Sequence, residues 1–117
     1  MEQISIKQRD IILVNFPFSD QYGGKVRPAL VISNNSFNAS GEDVVICAIT
    51  GILKETKYSL GIDSDDIEEG KLYDKSLIKV ETLVKRKKSL ILKRIAILKE
   101  LTFKKVQTLI YDLIKSD

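Results

Sequence analysis

The feature that most constrains this chain is a series of short apolar runs, several of them rich in β-branched residues. The runs cover residues 11–16, 29–32, 44–49, 58–62, 77–83 and 90–98. Each has the length and composition of a β-strand, and the run at 58–62 is the weakest. The connections leave little room for the helical crossovers that parallel strands need, so we expect antiparallel pairing. The expected fold class is mainly β (α+β), with a strongly bent sheet that closes into a small barrel. A brief helical turn is expected at residues 66–72.

The last segment of the chain has a different periodicity. Its apolar residues recur at three- and four-residue spacing, which predicts an amphipathic helix. These residues are Phe103, Val106, Leu109, Ile110, Leu113 and Ile114. Thr102 precedes them and is the predicted N-cap, with its hydroxyl accepting from the first free amides. A stripe of this kind normally packs against the protein's own sheet, so we expect the helix on the outside of the barrel.

Composition limits the class of protein. A chain of 117 residues corresponds to one domain, 1–117, and 44% hydrophobic residues are enough for a packed core. Cys47 is the single cysteine, so an internal disulfide is excluded, and its apolar neighbours predict a small buried hydrophobe in a reducing compartment. We expect a cytoplasmic protein, because no segment resembles a signal peptide and no apolar run is long enough to span a bilayer.

Charged residues and the absence of histidine narrow the chemistry. Without histidine, Ser-His-Asp and Cys-His catalysis, histidine-based ribonuclease chemistry and His-bearing zinc sites are excluded. The net charge of +3 does not by itself indicate a nucleic-acid partner. The basic stretch Lys85-Arg86-Lys87-Lys88 either follows a phosphate backbone or keeps a turn between two strands soluble. The acidic stretch at 63–69 lacks the spacing of a calcium loop and is interpreted as a solvated connection.

The segment around Arg27 suits anion binding. Residues 16–20 end one strand, and the loop at 20–24 carries two glycines that accept backbone angles barred to other residues. Pro28 biases Arg27 toward extended geometry, so the backbone helps to aim the guanidinium. A planar, permanently charged group beside an adaptable loop is suited to a phosphate. The alternative is an ordinary arginine at a strand start whose head lies in solvent.

A set of motifs in a fixed order makes the chain resemble the MazF/PemK family, small ribonuclease toxins of toxin–antitoxin pairs. The matching segments span nearly the whole chain: Asp10-Ile11-Ile12-Leu13-Val14-Asn15-Phe16-Pro17-Phe18, Arg27-Pro28-Ala29-Leu30-Val31-Ile32-Ser33, Asn34-Asn35, Ala48-Ile49-Thr50, Ser76-Leu77-Ile78-Lys79-Val80 and Lys93-Arg94-Ile95. The chain departs from the pattern at Arg9, Gly51 and Ala96, where the family usually has Gly, Ser or Thr, and Gly. These departures concern the shape of the substrate groove.

The resemblance implies a fold and an activity. The fold is an SH3-like barrel, MazF/CcdB-like and usually a twofold dimer. The activity is sequence-specific cleavage of single-stranded RNA, mainly mRNA, without a metal or other cofactor. Cleavage would leave a 2′,3′-cyclic phosphate and a 5′-hydroxyl. The expected partners are single-stranded RNA, a cognate antitoxin and a second copy of the chain, with no membrane contact.

The resemblance also assigns roles to individual residues. The expected catalytic residues are Arg27 and Thr50, and the expected substrate contacts are Phe18, Ser19, Lys25 and Ser76. The family gives acid–base work to the matching Arg and phosphate contact to the matching Thr. The residues alone favour charge neutralisation for Arg27, because a guanidinium stays protonated in proteins. Thr50 could instead satisfy a local backbone group. Phe18 is expected to stack on an unpaired base, or to face the core.

Two other functions stay open at the level of sequence. Toxins that bind DNA gyrase without cutting anything share this fold, and their C-terminal residues, including a Trp, grip the enzyme. This chain has no Trp and ends in Lys115-Ser116-Asp117, which counts against that function. A catalytically silent RNA-binding module would bind RNA with marked salt dependence and leave the strand intact.

Overall fold

A computed structural model describes residues 5–16 and 25–117. The elements, in chain order, are β1 (Asp10–Phe16), β2 (Lys25–Val31), α1 (Asn35–Ser40), β3 (Asp43–Thr50), β4 (Ser59–Ile62), a 3₁₀ turn (Ser64–Asp66), β5 (Ile67–Gly70), β6 (Ser76–Lys87), a second 3₁₀ turn (Lys88–Leu90), β7 (Ile91–Leu98) and α2 (Glu100–Ile114). No helix of the described chain is both long and apolar enough to cross a membrane.

The strands form a single antiparallel sheet. Within the described residues it has seven strands in the order β4-β6-β3-β2-β1-β7-β5. The register slips between β3 and β6, where Cys47 lies opposite Leu83 and Ala48 lies opposite Lys79. Irregularities of this kind bend a strand and increase its twist, and here the sheet curves into a half-barrel. The predicted fold class, a small antiparallel barrel with one C-terminal helix, is confirmed.

Hydrophobic residues pack on both faces of the curved sheet. One cluster, the helix-side core, includes Leu30, Cys47 and Ile78 and is covered by Phe103 and Val106 of α2. This confirms that the C-terminal helix docks on its own sheet. Cys47 is fully buried, as predicted, and burial raises the pKa of its thiol to about 12, so the thiol is neutral.

The other cluster lies on the opposite face and is called the groove-side core below. It contains Val14, Phe16, Ala29 and Ile46, among others, and all of these are buried. Partly buried residues from β6, the second 3₁₀ turn and β7 pack against it: Val84, Leu90 and Ile91. The far half of β6 therefore folds over the face that carries the first residues of β2.

The prediction of a helical turn at residues 66–72 is wrong. The helical turn falls at Ser64–Asp66, before the expected 66–72, because Asp63 and Asp66 form a reciprocal capping box there. Residues Ile67–Gly70 then form a strand, since Ile67 pairs with Leu98 of β7.

The expected cap of the last helix is also different. Lys99 is the N-cap of α2, and its side chain makes no capping hydrogen bond to any residue in the described part of the chain. Thr102 lies inside the first turn, where its hydroxyl donates to Oδ1 of Asp66 at 2.8 Å. Thr102 therefore ties the helix to the 3₁₀ turn, a long-range contact that local sequence does not reveal.

The basic stretch is mostly strand. Lys85, Arg86 and Lys87 belong to β6, and the turn begins only at Lys88. Alternation along a strand sends neighbouring side chains to opposite faces. Lys85 and Lys87 therefore lie on the face opposite that of Arg86.

Candidate functional site

Arg27 and Thr50 are brought together by the pairing of β2 and β3. In this ladder Ala29 lies opposite Ala48 and Val31 lies opposite Ile46. Continuing the same register by two residues places Arg27 opposite Thr50, where both strands reach the edge of the sheet. Residues two apart on a strand share a face. Arg27 and Thr50 therefore lie on the same face of the sheet, just beyond the last pair of this ladder.

The neighbours of Arg27 in the sheet are apolar. Across the ladder Arg27 pairs with Val14 of β1, which is fully buried, and the next residue of β2 on the same face is the buried Ala29. Both belong to the groove-side core. Arg27 itself is exposed, so its guanidinium is accessible to an anion that approaches from solvent.

The Thr50 hydroxyl accepts one local hydrogen bond and can still donate its own proton. Its Oγ1 accepts a hydrogen bond from the backbone amide of Ile52 at 3.1 Å, which is the local use considered from the sequence. A hydroxyl that accepts one hydrogen bond can still donate its own proton. The accepted bond holds the oxygen in place, so the proton of Thr50 is available to a group bound beside Arg27.

Lys25 adds positive charge to the same surface. It lies two residues before Arg27 on β2, so its side chain falls on the same face, and it is exposed. Its partner across the ladder is Phe16 of β1, which is buried. Lys25 and Arg27 thus form a short cationic row above a row of buried apolar residues.

The neighbouring strand β6 brings polar groups that sequence reasoning missed. Lys79 lies opposite Ala48, two residues from Thr50, and its Nζ is 4.0 Å from Oε1 of Glu81. Glu81 also accepts hydrogen bonds from the Thr56 hydroxyl at 3.1 and 3.2 Å, so it anchors the loop that follows Thr50. The register slip at Cys47 determines which β6 residues reach this surface. Apolar alternation alone could not have identified them.

Ser76 is placed differently from the other predicted site residues. It lies opposite Ile62, whose side chain belongs to the helix-side core, so the side chain of Ser76 points away from the face of Thr50. Its hydroxyl donates to the carbonyl oxygen of Asp74 at 3.2 Å, and the residue is only 8% exposed. The structure therefore does not bring Ser76 together with Arg27 and Thr50, and its substrate contact stays a prediction.

Phe18 and Ser19 lie outside the described residues, as does the loop at 20–24. Within residues 5–16 and 25–117, no group of three or more Cys, Asp or Glu side chains could hold a metal ion.

Comparison with solved structures shows that the fold is shared with several known proteins. A mycobacterial endoribonuclease in complex with its cognate antitoxin shares the fold at a TM-score of 0.76 and 15% identity, over 96% of this chain and 97% of that one. The Mycobacterium tuberculosis toxin MazF-mt6 matches at 0.75 and 16%, over 93% and 99%. A MazE–MazF structure from Deinococcus radiodurans matches at 0.78 and 16%, over 97% and 100%.

The family follows from a second comparison. Residues 7–114 match the model of the PemK-like, MazF-like toxins of type II toxin–antitoxin systems. The chain belongs to this family, which confirms the resemblance found in its motifs. No curated protein sequence matches the chain.

Proposed function

We propose that the protein is the toxin of a type II toxin–antitoxin pair and an endoribonuclease that cuts single-stranded RNA, mainly mRNA, at a short sequence. The observation that supports this proposal is that Arg27 and Thr50 share a face of the sheet just beyond the last pair of β2 and β3, next to buried apolar residues. Family membership, and the endoribonucleases among the solved structures with this fold, support RNA as the class of substrate. The reaction needs groups that stabilise a doubly charged phosphorane, and Arg27 and Thr50 can provide them.

The reaction is an internal transfer. The 2′-oxygen attacks the adjacent phosphorus and loses its proton, the bond from phosphorus to the 5′-oxygen breaks, and that oxygen takes up a proton. The products are a 2′,3′-cyclic phosphate and a 5′-hydroxyl, and no metal takes part in the proposed route. Arg27 donates two parallel hydrogen bonds to oxygens of the phosphorane. These hydrogen bonds strengthen as negative charge develops on the oxygens. Thr50 donates its hydroxyl proton to the same group.

The family resemblance implies that Arg27 also takes part in proton transfer. A guanidinium gives up a proton reluctantly, since it stays protonated in proteins. We therefore assign charge stabilisation to Arg27 as its main contribution. The bond from Ile52 to Thr50 and the contact of Glu81 with Thr56 hold the loop beside the reacting phosphate.

The proposed partners follow from the same surface. Lys25 and Arg27 form an exposed cationic row that an acidic segment of an antitoxin would cover, with the segment ordering as it binds. Solved relatives are described as complexes with antitoxin, in line with this proposal. A homodimer and a cytoplasmic location belong to the same proposal. Phe18, Ser19 and Lys25 are the proposed contacts to the RNA strand around the cut.

The test is incubation of the purified protein with long single-stranded RNA in EDTA, followed by mapping of both new ends. We expect discrete cuts with cyclic-phosphate and 5′-hydroxyl ends from the wild type, and intact RNA from Arg27→Ala. Lys93→Ala, which changes the same charge on β7, is the matched control and should cut like the wild type. RNA that stays intact with wild-type protein over many unrelated sequences would overturn the proposal.

A further inference from the structure

Arg86 is held over an aromatic ring at the edge of the proposed site. Its guanidinium carbon lies 5.7 Å from the centroid of the Phe16 ring, within the range of a cation–π contact. Its Nη1 donates to the carbonyl oxygen of Lys85 at 3.0 Å. The stem of Arg86 belongs to β6 opposite the buried Val44. These contacts place the head of Arg86 over the Phe16 ring, with its outer nitrogens exposed.

The strand register places this head beside the cationic row. Phe16 lies opposite Lys25, and Val14, two residues earlier on the same face, lies opposite Arg27. Two residues along a strand span about 6.6 Å. The Arg86 guanidinium therefore lies over the same row of buried apolar side chains as Lys25 and Arg27. It reaches this row from β6, whereas Lys25 and Arg27 belong to β2.

One donor of Arg86 is unused. Its Nε is buried, and no residue in the described part of the chain accepts a hydrogen bond from it. A buried donor without an acceptor costs free energy, more so when it belongs to a charged group. This unpaired donor lies near the surface that carries the exposed cations Lys25 and Arg27.

We propose that Arg86 binds a phosphate of the RNA strand other than the one that is cut. The inference rests on the proposed endoribonuclease function, and it adds a second anchor to the site built on Arg27. Nε itself is enclosed, so a phosphate would reach the outer nitrogens of the guanidinium, where the bond to Lys85 is exposed. The planar fork of an arginine can bind phosphate with two parallel hydrogen bonds while its face stays on the Phe16 ring.

The opposite walls of the groove then have separate tasks. Arg27 and Thr50 on β2 and β3 engage the reacting phosphate, and Arg86 on β6 engages a neighbouring one. Holding the strand at two phosphates fixes its direction across the site, which aligns the attacking 2′-oxygen with the bond to be broken. Arg86 is in this account a positioning residue for the reaction.

The test measures binding separately from cleavage. The probe is a mixed-sequence single-stranded RNA with 2′-O-methyl groups, which cannot undergo attack, and affinity is followed from about 50 to 300 mM KCl. We expect Arg86→Met to weaken binding about tenfold or more. The slope of log affinity against log salt should fall by about 0.7, the value for one phosphate contact on a single strand.

Lys85→Met is the matched control. Lys85 carries the same charge on the adjacent residue, but alternation places it on the other face, opposite Val45. This variant should keep the wild-type slope. Arg86→Lys should keep the slope as well and lose part of the affinity, because an ammonium cannot form the bidentate contact. Thermal unfolding of each variant checks that the fold is retained.

The outcomes separate this inference from the proposed function. Equal slopes for Arg86→Met and Lys85→Met would overturn the phosphate anchor even if the wild type cuts RNA. A lowered slope for Arg86→Met alone would support the anchor even if the wild type leaves natural RNA intact. Weaker binding of Arg86→Met to poly-glutamate, with unchanged RNA affinity, would show that Arg86 takes an acidic peptide and would also overturn the inference.

Discussion

Gly70 is the position where a single methyl group should cost most. It lies at the end of β5 with a φ of +87°, a backbone angle that glycine accepts and other residues rarely adopt. A Cβ built there would fall 2.3 Å from the carbonyl oxygen of Ile95 and 2.6 Å from Cα of Ala96. Both obstacles are backbone atoms of the neighbouring strand β7, so no side-chain rotation can relieve the clash.

The expected cost of Gly70→Ala is the sum of two effects. A left-handed backbone angle costs an alanine about 1–2 kcal/mol. Forcing apart closely packed groups adds about 1–3 kcal/mol. The free energy of unfolding should therefore fall by about 2–5 kcal/mol, which for a domain of this size lowers Tm by roughly 10–20 °C.

Urea unfolding and a thermal melt measure this directly, and Gly61→Ala is the control. A Cβ on Gly61 would meet only Cδ2 of Leu77, at 3.8 Å, an ordinary contact. That variant should stay within about 1 kcal/mol of the wild type. If Gly70→Ala were also within 1 kcal/mol, the close approach of β5 to β7 would be refuted.

Three further outcomes test the site and the core. Burial raises the pKa of Asp10 above the usual value of 3.8, although Lys7 and Arg94 oppose the shift, so the unfolded chain loses this proton first as pH rises. Wild-type stability should then fall relative to Asp10→Asn from pH 3.8 upward, until the folded pKa is passed, and parallel urea-derived curves would contradict this. Thr50→Val should lower kcat for RNA cleavage about 100-fold and Thr50→Ser much less, since one donor to the phosphorane is lost; equal rates would remove Thr50 from the mechanism. Folded protein should resist a thiol reagent at pH 8 and react fully in denaturant, and rapid labelling of the native state would contradict the burial of Cys47.

Elements whose residues carry strong local signals could be predicted from the sequence. The strands around residues 11–16 and 44–49 are dense in β-branched residues, and the 3.6-residue stripe of α2 is regular. β5 could not be recognised, because Ile67-Glu68-Glu69-Gly70 has no apolar alternation and becomes a strand only through pairing with β7. Long-range pairing overrides local propensity at such an edge.

Some residues of the candidate site could also be predicted from the sequence, and others could not. Arg27 and Thr50 could be named from motifs that resemble a family, and the structure adds that both lie on one face of the sheet, which depends on a register invisible in the sequence. Arg86 could be named only as one of four basic residues, and Glu81 could not be named. Their positions depend on the slip in register between β3 and β6, and on the way β6 folds over Phe16.

The central claim is that Arg27 stabilises the phosphorane during RNA cleavage. The most direct test is the single-turnover cleavage rate of wild type, Arg27→Lys and Arg27→Ala, at protein concentrations that saturate each with RNA. Saturation removes differences in binding, so the rates report the chemical step. We expect Arg27→Ala to cut at least about 1,000 times more slowly, with Arg27→Lys in between, because a lysine keeps the charge without the bidentate fork. An Arg27→Ala protein that cuts within about tenfold of the wild-type rate would contradict the account.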